Sequence, residues 1–412
     1  MNQEEDQWKQ IKMTIRENIL QEMKHSFEMD DATVWEMIEN EIIRQGKLSY
    51  IPLAIKEKLR KEIYDSVRKY DILQDLIEDN SITEIMVNGK NDIFIERDGN
   101  ILTYANHFET KEKLFDVIQQ IVAKANRVVN ESSPIVDARL ENGSRVHVVL
   151  PPIALNGPIL TIRRFPENPI QMKDLLRMGA ICPEAASFLE ALVCAGYNIF
   201  ISGGTGSGKT TFLNVLSNYI PKKERVITIE DSAELKLQGI ANIVRLETRN
   251  ANIEGCKEIT IRDLIKASLR MRPDRIIVGE VRGGEALDML QALNTGHDGS
   301  LSTGHANSAR DMLSRLETMV LMAMDLPLEA VRRQIASGLD VIIHLGRLRD
   351  KSRKVLSITE ITGYEEGQIQ LSDLFVFEET KERMEGCVEG KMIRKNSLLH
   401  TEKLQMAGIQ IP

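Results

Sequence analysis

Residues Gly203-Gly204-Thr205-Gly206-Ser207-Gly208-Lys209-Thr210 constrain this chain more than any other stretch. Two glycines bracket four residues and are followed by Lys and Thr, the spacing of a phosphate loop. The flanks agree with that pattern. Tyr197-Asn198-Ile199-Phe200-Ile201 reads as a buried strand, and Thr211-Phe212-Leu213-Asn214-Val215-Leu216 as the first turns of a helix. Strand, glycine loop and helix start, in that order, aim successive backbone N–H groups at one anion and add the partial positive charge of a helix end. A glycine-rich turn without a ligand is the plainer alternative, and the flanking strand and helix weigh against it. The loop, Gly203, Gly204, Thr205, Gly206, Ser207, Gly208, Lys209, Thr210 and Thr211, is therefore expected to hold a nucleoside triphosphate. Lys209 would reach the β- and γ-phosphates, and the Thr210 hydroxyl would bind Mg²⁺.

A chain of 412 residues has room for two or three domains, each with its own core. Its net charge of -8 provides no broad basic face, so nucleic acid is not an expected partner, a local basic groove aside. The four cysteines (182, 194, 256 and 387) form no C-x-x-C pair, which suits a reducing cytoplasm and offers neither zinc site nor disulfide framework. The polar, acidic start Met1-Asn2-Gln3-Glu4-Glu5-Asp6 carries no secretory signal. Glu190 and Asn198 interrupt the longest apolar candidate, residues 185–201, so no membrane span is expected and any membrane association would come through a partner.

The first seventy residues read as a helical module (1–70). Ile11, Ile15, Ile19, Met23 and Phe27 recur every four residues, and Val34, Trp35, Ile38 and Ile42 follow at compatible spacing. Pro52 opens a third helix through Leu59, Ile63 and Val67. Residues 71–165 read as a smaller α+β domain. A hairpin is expected from residues 84–89 and 92–96, a helix from 113–129, and strands from 135–140, 144–149 and 159–164. A proline-stiffened linker (166–172) leads to an α/β nucleotide domain (173–345), where strands alternate with helices as a parallel sheet requires. Residues 346–412 read as a C-terminal extension, with edge strands possible over 346–377.

Three further strand ends follow the loop. Residues 225–229 end in Glu230-Asp231, residues 275–278 in Gly279-Glu280, and residues 299–303 in Gly304-His305. In an open α/β sheet, ligands sit beyond the carboxyl ends of the strands, so these polar groups should converge on the nucleotide. Hydrolysis needs a carboxylate to orient water and another to complete the metal shell, and Glu230 and Glu280 have the chemistry for those two roles. His305 is placed to sense the γ-phosphate, whereas His297 has an equally plain structural reading. Neither histidine has the partners that zinc would need. Arg139, Arg145, Arg163 and Arg164 precede the linker, on strands from which guanidinium groups can swing over the nucleotide.

In combination these motifs resemble the type II/IV secretion ATPase superfamily. The loop, Ile229-Glu230-Asp231, residues 272–283 and residues 295–307 are similar to its Walker A, Asp-box, Walker B and His-box motifs. Residues 137–146 and 160–165 resemble the CpaF/TadA branch, which powers assembly of Flp/Tad-type pili. The likeness covers roughly residues 70–345. It implies a RecA-like domain, ATP as substrate with Mg²⁺, and a hexameric cytoplasmic motor docked on an inner-membrane platform protein. It implies further that Arg139, Arg145 and Arg163 contact phosphate from the N-terminal α+β cap. Glu280 would then be the Walker B carboxylate, holding Mg²⁺ through water, and Glu230 the water-orienting base. No four-cysteine zinc module of the type II secretion and extension-motor branches is present. The competing readings are a type IV secretion or conjugation traffic ATPase, a small-molecule phosphoryl transferase and a nucleotide-gated scaffold with little turnover. For the last two, no acceptor-binding sequence stands out, and the intact Glu230, Glu280 and arginines argue for turnover.

Overall fold

The computed structural model describes residues 2–23, 29–97, 99–164, 169–249, 257–380 and 388–410. The chain divides into two compact units, Met1–Pro166 and Glu167–Pro412.

The first unit opens with α1 (Asn2–Met23), α2 (Asp31–Leu48) and α3 (Leu53–Arg68). Their four-residue apolar spacing becomes a shared core. Ile15 and Ile19 meet Val34, Ile38, Ile42, Leu59 and Ile63, with Ile11 and Met23 packed against them. Phe27, the last member of the expected stripe, lies outside the described residues. Asp30 caps α2 by accepting the Thr33 N–H at 2.9 Å, and Pro52 stands at the cap of α3. Trp35 stacks on Tyr64 with ring centroids 4.0 Å apart, which ties α2 to α3.

A 3-10 turn and α4 (Gln74–Glu78) lead into β1 (Ile82–Asn88), β2 (Asp92–Arg97), β3 (Asn100–Thr103), α5 (Lys111–Lys124), β4 (Ile135–Arg139), β5 (Arg145–Val149) and β6 (Ile159–Arg163). The sheet order is β3-β2-β1-β6-β5-β4, antiparallel throughout. Alternate residues Ile85, Val87, Val146, Val148, Leu160 and Ile162 are buried with Leu114, Val117, Ile118 and Ile121 of α5. Period-two alternation leaves the other face more open, with Glu84, Arg145, His147, Thr161 and Arg163 on it beside Met86, Phe94, Val149 and Ile159.

In the second unit the elements are α6 (Met172–Arg177), α7 (Pro183–Cys194), β7 (Ile199–Gly203), α8 (Lys209–Ser217), β8 (Val226–Glu230), β9 (Ile243–Glu247), α9 (Ile261–Ser268), β10 (Arg275–Val278), α10 (Glu285–Leu293) and β11 (Leu301–Gly304). Then come α11 (Ala309–Ala323), α12 (Leu328–Gly338), β12 (Val341–Arg347), β13 (Arg353–Glu365), β14 (Gln368–Glu379), β15 (Gly390–Arg394) and α13 (Glu402–Ala407). Of the linker expected over 166–172, residues 166–168 lie outside the described residues, and Met172 opens α6. The nine strands run in the order β15-β14-β13-β12-β7-β11-β10-β8-β9. From β12 to β9 all neighbours are parallel. Residues beyond 346 supply β13, β14 and β15, antiparallel strands that extend the same sheet.

Both faces of the central parallel strands are covered, so they are buried along their length and largely apolar, with Thr228, Ser302 and Thr303 among the buried exceptions. Ile199, Ile201, Val341 and Ile343 enter one core, while Phe200, Ile227, Ile276 and Ile342 enter the other. The mixed α/β class expected from the sequence is the one found.

Candidate active site

Parallel strands end together. The carboxyl ends of β7, β8, β10, β11 and β12 therefore share one edge, and each hands on a polar residue there: the glycine loop, Glu230, Glu280, His305 and Arg347. The loop leaves β7 at Gly203 and turns into α8 through Gly208, the helix cap, whose φ of 94° is costly for a residue with a Cβ. Lys209 follows as the first helical residue. Its side chain folds back into the loop, with Nζ donating to the Gly204 carbonyl at 3.0 Å. The Ser207 hydroxyl donates to the same carbonyl at 2.9 Å. Thr210 and Thr211 are half-buried in the first turn of α8.

Lys209, His305 and Glu280 are brought into contact. Both ring nitrogens of His305 lie near Lys209 Nζ, at 3.4 and 3.5 Å, and His305 Nε2 is 2.7 Å from Glu280 Oε1. Arg282 donates from Nη2 to Glu280 Oε2 at 2.7 Å, and its Nη1 lies 3.6 Å from Asp231 Oδ2. A chain of alternating charge thus runs from the loop to the end of β8. Burial lowers the Lys209 pKa, against the pull of the Glu280 carboxylate. Burial lowers His305 as well, helped by the Lys209 charge and opposed by Glu280. Glu280 Oε1 is buried and, close as it is to His305 Nε2, accepts no hydrogen bond among the described residues. The Glu280 hydrogen bond holds Arg282 above its ordinary value.

Glu230 is buried at the end of β8, where Oε1 accepts the N–H groups of Glu234 and Leu235, both at 2.9 Å. Its Oε2 is buried without a hydrogen-bond partner among the described residues. Burial pushes its pKa up to about 7, despite the two backbone donors. Gly279 separates this carboxyl from Glu280: a Cβ there would fall 3.0 Å from Glu230 Cγ, so the glycine lets the Glu230 side chain pass. His297 is held elsewhere, with Nδ1 at 3.1 Å from the Ala292 carbonyl near the end of α10.

The three candidate arginines of the first unit form a row. Arg139 stands opposite Arg145, and Arg145 opposite Arg163, on adjacent antiparallel strands and hence on one face. The row continues through Glu84, opposite Arg163, to Glu96. Arg145 Nη2 is 3.5 Å from Asp137 Oδ1, and Arg139 Nε donates to the Gly143 carbonyl at 3.1 Å. Like charges placed opposite one another destabilise a sheet, so the register of these three arginines adds no stability of its own. Arg164 is set apart from it. Its guanidinium bonds the Asp79 carbonyl and Asn80 Oδ1, which anchors the end of β6.

Sequence pattern alone assigned no role to Arg282 or Asp231, although both lie inside the quoted motifs; an arginine two residues beyond a strand-end glutamate was the available signal. Arg347 and Arg353, beside the loop, carried none.

Known proteins resemble this chain over most of its length. A family profile described as type II/IV secretion system protein matches residues 67–403. The conjugal transfer protein TrbB of Rhizobium radiobacter is 33% identical over 326 residues, covering 78% of this chain and 96% of TrbB. The type IV secretion system protein PtlH of Bordetella pertussis is 35% identical over 246 residues, covering 54% of this chain and 73% of PtlH. Among solved structures, the pilus retraction motor PilT with bound ADP shares the fold, with a TM-score of 0.52 at 20% identity over 82% of this chain and 88% of that one.

Proposed function

The chain belongs to the type II/IV secretion system protein family, and from that premise we propose that it is the ATP-driven motor of a pilus-assembly or protein-secretion machine. It is a P-loop ATPase. The observation that carries the reading is the convergence of Lys209, His305 and Glu280 at the strand edge from which the glycine loop emerges.

In this reading the loop amides and Lys209 hold the β- and γ-phosphates. Glu230, whose pKa lies near 7, takes the proton of the attacking water. The unpartnered Oε2 is the atom available to accept it. Glu280 and His305 set the electrostatic environment of Lys209, and His305 senses the γ-phosphate. By the resemblance, Arg139, Arg145 and Arg163 are the groups that neutralise charge developing on the phosphates. Mg²⁺ fits the donor set. The Thr210 hydroxyl would hold the ion directly and the Glu280 carboxylate through water, hard oxygen donors of the kind it prefers. Bound there, Mg²⁺ would supply positive charge to offset that of the phosphates.

The finer assignments rest on the resemblance. We place the chain in the CpaF/TadA branch, as a homo-hexamer on the inner face of the cell membrane, docked to an inner-membrane platform protein. Among the described residues no helix is long and apolar enough to cross a membrane, in keeping with docking through a partner. The names of TrbB and PtlH favour a second reading, a conjugation or type IV secretion traffic ATPase. The test is phosphate release by the purified chain with and without Mg²⁺, beside Lys209→Ala. Magnesium-dependent release that the variant lacks is expected, and equal release by both overturns the site. Light scattering with ATP and Mg²⁺ tests the ring, which a strict monomer excludes.

A further inference from the structure

We infer that Arg353, from the segment beyond the last parallel strand, is a positioning residue of the phosphate loop. The inference rests on the reading of residues 203–210 as the nucleotide cradle. β12 runs parallel to β7 and pairs with it as far as Leu345 opposite Gly203. The chain therefore leaves β12 at the edge where the loop begins. It turns back and re-enters the sheet as β13, with Arg353 directly opposite Arg347.

Arg353 Nε donates to the Gly206 carbonyl at 2.8 Å. In a trans peptide the carbonyl and the following N–H point in opposite directions. A grip on the Gly206 carbonyl from outside therefore turns the Ser207 N–H inward. In this structure that N–H donates to the Gly204 carbonyl, N to O 3.4 Å, the acceptor that Lys209 Nζ also reaches, so amide and lysine face the same side of the loop. Amides of this loop bind phosphate only when they face the same way as Lys209. Gly206 has a φ of 72° and no side chain to bias its peptide, so an external donor sets the orientation.

The turn that presents Arg353 is fixed. Asp350 accepts the Ser352 N–H at 3.0 Å, the Ser352 hydroxyl at 2.6 Å and the Val388 N–H at 2.8 Å. Leu348 N–H closes the turn on the Ser352 carbonyl at 2.8 Å. Arg347 stands close as well, with Nη1 3.9 Å from where a Cβ on Gly206 would lie. Arg347 and Arg353 thus bring two positive charges to the loop, a field that favours an anionic ligand there.

The experiment compares wild type, Arg353→Ala, Arg353→Lys and Lys209→Ala by equilibrium titration with a fluorescent ATP analogue, by steady-state hydrolysis and by nucleotide-free melting. Arg353→Ala should bind the analogue roughly tenfold more weakly, the scale of one lost charge-assisted hydrogen bond. KM should rise while kcat at saturation holds, Arg353→Lys should recover most of the affinity, and the melting temperature should not move. Wild-type affinity in Arg353→Ala overturns the inference. So does weak binding that comes with a lowered nucleotide-free melting temperature, which would assign Arg353 to the stability of the hairpin. A wild-type chain that binds the analogue no better than Lys209→Ala overturns the cradle reading instead.

Discussion

Glu280 Oε1 lies 2.7 Å from His305 Nε2, and the same imidazole sits within 3.5 Å of Lys209 Nζ. The carboxylate at the end of β10 and the loop lysine thereby flank one imidazole ring. Glu280→Gln keeps the shape and removes the charge that favours the protonated Lys209. The variant should still bind ATP, with turnover lowered by about 10²-fold or more, the usual scale for losing one positioned carboxylate. Single-turnover hydrolysis measures this, and a normal steady-state rate would refute the role of Glu280.

The buried Glu230 carboxyl predicts two pH effects of opposite sense. With a pKa of about 7 against 4.5 for an exposed glutamate, the folded chain binds more protons than the unfolded one between those values. Stability due to Glu230 is thus fully present below pH about 4.5 and is lost as pH rises through 7, by up to about 3 kcal/mol. As proton acceptor, however, the group is active only when ionised, so kcat/KM should rise through pH 7. Glu230→Gln should melt at a higher temperature than wild type at pH 8 and show no activity break near 7. A variant that keeps the break assigns that titration to another group.

Much of this was legible in the residues, and the gaps have physical causes. The glycine loop and the strand-end acids could be read because the buried strands before them are mainly apolar, so the change to polar residues marks the carboxyl edge where the side chains gather. His305 follows the less apolar strand Leu301–Gly304 and was legible from its place after Gly304. The stripe through Ile15 and Ile19 likewise encodes the face that is buried. The three-arginine row could not be foreseen as a row, since register, not spacing, sets Arg139, Arg145 and Arg163 opposite one another. Arg353 was hidden for a related reason. The parallel pattern ends with β12, and an antiparallel hairpin folds the next residues back onto the loop, which no local periodicity announces.

Arg275 makes a structural prediction at a motif residue. It is buried at the start of β10, donates to both Glu224 carboxylate oxygens, and reaches the Val193 carbonyl at 2.6 Å. Arg275→Met should cost about 3–5 kcal/mol, because it strands Glu224 and an accepting carbonyl together. Urea unfolding checks this, and a loss below about 1 kcal/mol would show the pair to be dispensable.

Arg145 stands between Arg139 and Arg163, so it bears like-charge repulsion from both sides. Asp137 offsets part of it at 3.5 Å, and the opposite end of the row is relieved by Glu84 beside Arg163. Burial pushes the Glu84 pKa up, with Arg163 pulling against the rise. Removing the central guanidinium should therefore leave stability unchanged or raise it by about 0.2–1 kcal/mol. If the row exists to meet phosphate charge in the transition state, Arg145→Ala should nevertheless lower kcat by roughly 10²-fold or more, with only a modest loss of nucleotide affinity. Melting and steady-state kinetics on the same preparation separate the two effects. A stable variant with unchanged turnover removes the row from catalysis, whereas a destabilised one shows that the arginines hold the sheet together.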